Sequence, residues 1–218
     1  MSGWTHFKRN RAAEWSMWFL AIITLLAICA PWVTRFSYEE QNILHKLQGP
    51  TLEHWMGTDT LGRDLYSRII YGARMSLAVG FVTALFALFV GTLTGSIAGY
   101  TGGWIDKLLM RVVDIFYIFP SLLSSILLGL LLGRGFTGIF LALGITAWVT
   151  QARLVRGLVL QAREFNYVEA ARALGVSHPW IVFRHILPNL WGPIIVSLTM
   201  QIPAAIMSES FLSFIGLG

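Results

Sequence analysis

The ionisable and nucleophilic residues of this sequence are too scattered to form a hydrolytic or nucleotide-binding site. The five histidines include no His-Glu-x-x-His pair, and no Gly-x-Ser-x-Gly motif occurs. No Gly-Lys dipeptide is present to form a phosphate-binding loop. His178 and His185, seven residues apart, are interpreted as polar loop residues. We therefore predict no catalytic residue, no metal ligand and no cofactor, and look for a role other than catalysis.

A polar stretch at residues 57–64 contains two glycines and two aspartates. Its spacing fits neither an EF-hand nor a phosphate-binding loop, so we interpret it as a tight turn that leads into a helix. Leu61, Leu65 and Ile69 recur every four residues, which makes one apolar helical stripe. This pattern predicts an amphipathic helix lying along a membrane surface before the chain turns inward.

The composition is that of a membrane protein. Of 218 residues, 56% are hydrophobic and 12% are charged, whereas soluble domains carry about 25% charge. The net charge of +5 comes from basic residues that flank apolar segments, which favours contact with membrane lipid and gives no sign of a nucleic-acid partner. The single cysteine, Cys29, excludes an internal disulfide.

Apolar runs of about 20 residues predict an all-α polytopic protein with five transmembrane helices. The first run is interpreted as an uncleaved span rather than a signal peptide, because its apolar core is long and no small-x-small site follows it. The predicted organisation is a cytoplasmic N-terminus at 1–14, spans at 15–33, 76–100, 115–132, 136–154 and 186–214, an outer segment at 34–75, a connector at 101–114 and a cytoplasmic loop at 155–185.

The distribution of positive charge indicates the orientation. With a cytoplasmic N-terminus, the inner segments, counted as 1–14, 101–114 and 153–185, hold ten lysines and arginines: Lys8, Arg9, Arg11, Lys107, Arg111, Arg153, Arg156, Arg163, Arg172 and Arg184. The outer segments then hold six: Arg35, Lys46, Arg63, Arg68, Arg74 and Arg134. An excess of positive charge inside is typical of membrane proteins, so the sequence predicts a cytoplasmic N-terminus and a cytoplasmic 155–185 loop.

Two features within the predicted spans suggest roles in helix packing and in solute passage. Gly91, Gly95 and Gly99 are four residues apart and share one helix face, as small residues do where membrane helices approach closely. This face either packs within the bundle or lies near a moving pore interface. Apart from Arg153, at the very end of the fourth predicted span, Glu209 is the one charged residue within a predicted span. Such charges mark a pathway or an ion pair, although Glu209 could equally lie at the outer rim.

The loop from Glu169 to Pro188 is the most informative segment. Glu169, Ala170, Ala171 and Arg172 favour a helix, and Gly175 follows where a helix C-cap requires positive φ. Ser177 can cap a second helix whose first turn accepts Pro179. The small alanine side chains would leave a flat helix face that a groove on a partner protein can approach closely. From these residues alone, partner docking and a purely structural amphipathic loop both remain open.

The same loop resembles the cytoplasmic "EAA" motif of ATP-binding cassette (ABC) importer permeases. The matching residues are Glu169-Ala170-Ala171, Gly175 and Leu187-Pro188; the motif's usual isoleucine is replaced by His185. Further stretches resemble the second permease of dipeptide, oligopeptide, glutathione and nickel importers: Gly57-Thr58-Asp59, Gly62-Arg63-Asp64, Ser67-Arg68, residues 72–77, 183–189 and 211–218.

This resemblance implies a type I ABC importer permease fold, normally with six transmembrane helices, so a C-terminal helix is expected beyond Gly218. It implies a peptide-translocating subunit of a bacterial inner membrane, with a homologous permease, two cytoplasmic ATPases and a periplasmic substrate-binding protein as partners. ATPase docking would use Glu169, Ala170, Ala171, Arg172, Gly175, Leu187 and Pro188. Nickel or glutathione import, a truncated remnant that does not transport, and an ion-coupled secondary transporter are the alternatives.

Overall fold

A computed structural model describes residues 10–133 and 135–217. In this part of the chain the regular elements are helical: α1 Arg11–Ile28, α2 Ala30–Val33, α3 Leu65–Thr101, α4 Gly103–Ile118, α5 Ser121–Leu132, α6 Phe136–Ala162, α7 Asn166–Ala173, α8 His178–Trp180 and α9 Leu187–Phe214. A 3-10 turn covers Ile43–His45 and a π-helical turn covers Ile181–Ile186. Much of the predicted N-terminus, with Lys8 and Arg9, lies outside the described residues, as do Arg134 and Gly218.

Four helical stretches of the described chain are long and apolar enough to cross a membrane. They are α1, α3, α6 and the continuous helix that α8, the π-helical turn and α9 form from His178 to Phe214. Helices α4 and α5 together qualify as a fifth candidate, with a bend of 88° between them. The prediction of an all-α polytopic membrane protein is therefore confirmed.

The chain divides into two compact units, residues 1–78 and 79–218. In the first, Asn10 caps α1 by accepting hydrogen bonds from the N–H groups of Ala12 and Ala13. The predicted tight turn before α3 is present, because Asp64 pairs with Thr58 in an isolated bridge. The Asp64 carboxylate also accepts a hydrogen bond of 2.8 Å from the N–H of Ser67, which caps the first turn of α3.

The predicted surface helix through Leu61, Leu65 and Ile69 is wrong. Leu61 lies in the turn, and Leu65 begins α3, which continues without a break to Thr101. The spacing of these apolar residues correctly indicated a helix, but the helix starts later, at Leu65, and continues far beyond Ile69. The bonds that hold the turn fix where the helix starts.

Asp59 organises that turn. Its carboxylate accepts hydrogen bonds from the backbone N–H groups of Leu61 and Arg63 at 2.8 and 3.0 Å, and it pairs with the guanidinium groups of Arg63 and Arg68. Burial raises the pKa of Asp59, but these backbone and guanidinium hydrogen bonds outweigh it and hold the pKa well below its usual range. The carboxylate is thus charged when the turn is formed.

In the second unit, α6 packs against α4, α5 and α9. The predicted connector at 101–114 is wrong over most of its length, because α4 begins at Gly103. The break from α3 is made by Gly102 and Gly103, which both adopt positive φ. The bend between α4 and α5 falls at Phe119 and Pro120. Proline lacks an N–H and its ring clashes with a continuing helix, so the helix breaks there.

Both helices that flank the predicted loop extend into it. Helix α6 runs to Ala162, eight residues beyond the predicted span end at 154, and the last helix starts at His178 rather than at 186. The predicted ends came from hydropathy, which indicates where contact with lipid ends. A helix can continue beyond that point into water through residues of good helix propensity. The loop proper is therefore short, from Arg163 to Ser177, and it contains α7.

Candidate partner-docking site

Helix α7 carries the residues predicted to dock a partner, and its own buried face holds it in place. Val168 and Ala171 are buried, with Ala171 6% exposed. They join an apolar cluster with α6, the π-helical turn and α9: Tyr100, Val155, Val159, Ala162, Ile181, Val182, Ile186, Leu187 and Ile194. A helix of eight residues is not stable alone in water. Its packing on this cluster therefore keeps α7 folded and fixes which face it presents.

The C-terminus of α7 is a Schellman motif. The N–H of Val176 bonds to the carbonyl of Ala171 at 3.1 Å, and the N–H of Gly175 bonds to that of Arg172 at 2.9 Å. Gly175 has φ of 75°, so the positive φ expected from the sequence is present. Space around a side chain at this position is open. Backbone conformation, and not crowding, is what requires glycine here.

The next helix begins directly after this turn. Ser177 occupies the position before α8 with extended backbone angles, and Pro179 lies in the first turn, as predicted. The Ser177 side chain makes no capping hydrogen bond, so that part of the prediction is wrong. The first turn is positioned by tertiary contacts of its neighbour His178.

Tyr100, at the end of α3, connects the loop to the helix bundle. Its hydroxyl accepts a hydrogen bond of 3.4 Å from Nε of Arg172 and lies 2.9 Å from Nδ1 of His178. The central carbon of the Arg172 guanidinium also lies 5.2 Å from the centroid of the Tyr100 ring, within cation–π range. One phenol thus contacts both halves of the loop, before and after Gly175. Sequence reasoning missed Tyr100, because nothing local marks a contact across 72 and 78 residues.

The predicted docking residues separate into an outer and an inner set. Glu169, Ala170, Arg172, Gly175 and Pro188 are exposed. Ala171 and Leu187 are buried within the apolar cluster. The prediction that these two contact a partner is therefore corrected: their side chains face the bundle and support the loop from within. Leu174, which the sequence did not single out, is 84% exposed beside Gly175 and extends the outer surface.

The π-helical turn at Ile181–Ile186 precedes the Leu187-Pro188 pair. The N–H of Leu187 reaches back five residues to the carbonyl of Val182. Pro188 has no N–H to continue the α pattern, which favours wider winding just before it. The Asn189 side chain donates a hydrogen bond of 2.7 Å to the carbonyl of His185. The turn thus joins loop and membrane helix without an interruption.

The glycines of α3 lie against α6. A Cβ at Gly91 would lie 2.6 Å from Cβ of Gln151, one at Gly95 would lie 2.4 Å from the carbonyl oxygen of Ala152, and one at Gly99 would lie 2.7 Å from that of Arg156. Such distances are below any real contact of a Cβ, so only glycine permits this approach. Of the two alternatives, the structure shows packing of this face within the subunit.

Glu209 lies in α9 and is 9% exposed. Its carboxylate accepts a hydrogen bond of 2.8 Å from the hydroxyl of Ser213, one turn further along the same helix. The carboxylate is thus buried and hydrogen-bonded. A role in a pathway stays a prediction.

Several long apolar helices, glycine-mediated helix packing and a small helix displayed beyond the spans define a multi-pass membrane protein of the permease class. The chain belongs to the family of binding-protein-dependent transport system inner membrane components, whose model matches residues 91–218. A second model, the N-terminal transmembrane domain of oligopeptide transport permease C, matches residues 2–50. The predicted ABC permease family is therefore confirmed.

Relatives match nearly the whole chain. The chain is 42% identical to the dipeptide transport system permease protein DppC of Bacillus subtilis, over 99% of this chain and 67% of the relative. It is 42% identical to the oligopeptide transport system permease protein OppC of the same organism, over 97% and 70%. It is 37% identical to the glutathione transport system permease protein GsiD of Pectobacterium atrosepticum, over 99% and 72%. These relatives are transport components and not enzymes, as predicted for this chain.

Proposed function

We propose that this chain is the solute-conducting subunit of an ATP-driven importer and that α7 with its glycine turn docks the ATPase that drives it. The observation that carries the proposal is the geometry of the loop. Glu169, Ala170 and Arg172 form an exposed surface, while Val168 and Ala171 anchor the same helix to the bundle. A partner that moves α7 therefore moves the bundle with it.

The proposed orientation has the N-terminus and α7 in the cytoplasm, on the excess of positive charge in the segments assigned inside. The proposed assembly holds a homologous permease, two cytoplasmic ATP-binding subunits and an external substrate-binding protein. Closure of the ATPases would pull on the loop, and the helices would alternate between outward-open and inward-open arrangements.

Peptides are the proposed substrate. The relatives named as dipeptide and oligopeptide permeases are 42% identical to the chain. Glutathione, itself a tripeptide, is the second candidate, since permeases named for it are 37% and 39% identical. Uptake of labelled trialanine with unlabelled glutathione as competitor separates the two: strong competition at equal concentration favours glutathione, and none favours a general peptide importer.

Docking is tested by capture of the ATP-binding subunits from native-like membranes with the tagged chain. Glu169→Lys reverses a charge on the exposed face of α7, and capture is expected to fall at least tenfold. Glu53→Lys makes the same change at an exposed residue assigned to the opposite side and should leave capture unchanged. Equal capture by all three chains would refute docking through α7.

Coupling is tested separately with Gly175→Leu. The space around this position is open, so a leucine clashes with nothing but must adopt a φ of 75° that L residues resist. We expect the turn to rearrange, ATP hydrolysis to persist and peptide uptake to fall. Wild-type uptake by this variant would contradict the proposed lever.

A further inference from the structure

Within the second unit, α3, α5, α6 and α9 line a cavity of about 370 Å³ that is open on one side. This volume is in the range of small-molecule sites. The fifteen described residues that line the cavity are all uncharged, and eight of them carry a hydroxyl or an amide: Thr83, Ser121, Ser125, Thr146, Thr150, Ser197, Gln201 and Ser208. A wall this rich in polar groups is unusual for a helix bundle whose outer surface meets lipid.

Thr83 lines this cavity and is 1% exposed, and its hydroxyl is buried without a hydrogen-bond partner in the described part of the chain. A buried hydroxyl left unpaired costs stability, and valine would fill the same volume without that cost. Folding therefore gives no reason for a hydroxyl at this position. A ligand that supplies the missing partner does.

Gln201 lines the same cavity, and Gln151 lies behind it, fully buried. Nε2 of Gln201 donates to Oε1 of Gln151 at 2.7 Å, and Ser197 donates to the same oxygen at 3.0 Å. Nε2 of Gln151 and Oε1 of Gln201 have no partner among the described residues. Exchanging the oxygen and nitrogen of both amides still leaves one donor group and one acceptor free, so this conclusion does not depend on how the amides are oriented.

The glycine face of α3 supports this arrangement. Gln151 is fully buried, and its Cβ and Cγ lie where a side chain at position 91 would be. Gly91 thus leaves room for Gln151, which in turn holds Gln201 against the cavity.

We propose that this cavity binds the backbone of a peptide during its passage, with Thr83 and Gln201 as contact residues and Gln151 as a positioning residue. The inference rests on the proposed function. A peptide unit offers one carbonyl acceptor and one N–H donor, which uncharged hydroxyls and amides satisfy whatever side chains the peptide carries. A site of this kind selects for peptide backbone and not for side-chain charge.

The first test is Thr83→Val, with Thr199→Val as its matched control. Thr199 is exposed on α9, and its hydroxyl bonds only to the carbonyl of Val196 in its own helix. The whole importer, with binding protein and ATPases, is assayed for initial uptake of labelled trialanine. We expect uptake to fall about five- to tenfold, the factor of one lost hydrogen bond, for Thr83→Val and to stay within about twofold for Thr199→Val.

The second test distinguishes a contact from a structural role. Trialanine methylated at its central amide nitrogen lacks one N–H. The binding protein is the same in every assay, so any preference it has between the two peptides is the same for every permease variant. With the amides oriented as described, Oε1 of Gln201 is the free acceptor, so we expect the ratio of trialanine uptake to methylated-trialanine uptake to shrink about five- to tenfold in Gln201→Leu. An unchanged ratio, or unchanged uptake by both Thr83→Val and Gln201→Leu, overturns the inference. A wild-type importer that moves neither peptide refutes the proposed function instead.

Discussion

The contact between α3 and α6 makes a quantitative prediction for Gly95→Ala. The added Cβ would lie 2.4 Å from the carbonyl oxygen of Ala152 and 2.9 Å from the backbone nitrogen of Arg156. Both atoms belong to the backbone of α6, so no side chain can rotate away. The two helices must separate by about 1 Å, the shortfall from normal van der Waals contact. Overpacking of this kind costs about 1–3 kcal/mol.

The matched control is Gly157→Ala, in α6 itself. That position is exposed and has open space around a Cβ, so alanine should stabilise the helix by about 0.5–1 kcal/mol. For a chain of this size, 1 kcal/mol corresponds to about 2–4 °C in the midpoint of thermal unfolding. In detergent we expect Gly95→Ala to melt about 2–12 °C below wild type and Gly157→Ala at or above it. Equal midpoints for the two variants would refute the close-contact interpretation.

Three further predictions follow from other contacts. Tyr100→Phe removes the hydroxyl that contacts Arg172 and His178, so we expect ATPase capture to be retained while ATP hydrolysed per peptide imported rises at least threefold. In the wild type the guanidinium of Arg156 donates hydrogen bonds of 2.5 and 2.6 Å to the carboxylate of Asp106. Asp106→Ala removes this carboxylate, so the free energy of unfolding in detergent should fall by about 1–3 kcal/mol. Asp59 has a lowered pKa when folded, so its contribution to stability is complete above its unfolded pKa of about 4 and is lost progressively as the pH falls from there through the lower folded pKa. Asp59→Asn should flatten this acid sensitivity, measured as protease cleavage within residues 34–64.

The parts of the fold that the sequence predicted are those governed by local chemistry. Gly175 could be placed at a helix C-terminus because positive φ is a property of one residue and its immediate neighbours. The stripe of Gly91, Gly95 and Gly99 could be identified as a face of close helix approach because small residues at a spacing of four permit it in lipid, although the sequence left open whether that face packs within the bundle or lies near a pore interface. Helix ends were predicted less well, since α6 and the helix from His178 continue through residues that are polar and still helix-favouring.

The parts that the sequence did not predict depend on residues far apart in the chain. Tyr100 is a common aromatic residue at the end of a helix, and only the fold brings its hydroxyl to Arg172 and His178. Thr83 and Gln201 are ordinary polar residues in apolar runs, and their free hydrogen-bonding groups appear only when the cavity between four helices is formed. The pattern of residue types along the sequence cannot show which hydrogen-bonding groups are left without a partner in the folded chain.

The glycine face links the two sites that we propose. At the C-terminal end of this face, the carbonyl of Gly99 accepts a hydrogen bond from Arg163, which begins the loop, and Tyr100 follows directly. At its other end, Gly91 packs on Gln151, which bonds to Gln201 at the cavity. A tightly packed helix pair shifts as a unit because close-packed contacts deform little. Displacement of α7 by an ATPase would therefore reach the cavity along α3 and α6. Widening this contact by Gly95→Ala should accordingly lower uptake even at temperatures where the variant stays folded and still captures the ATPase.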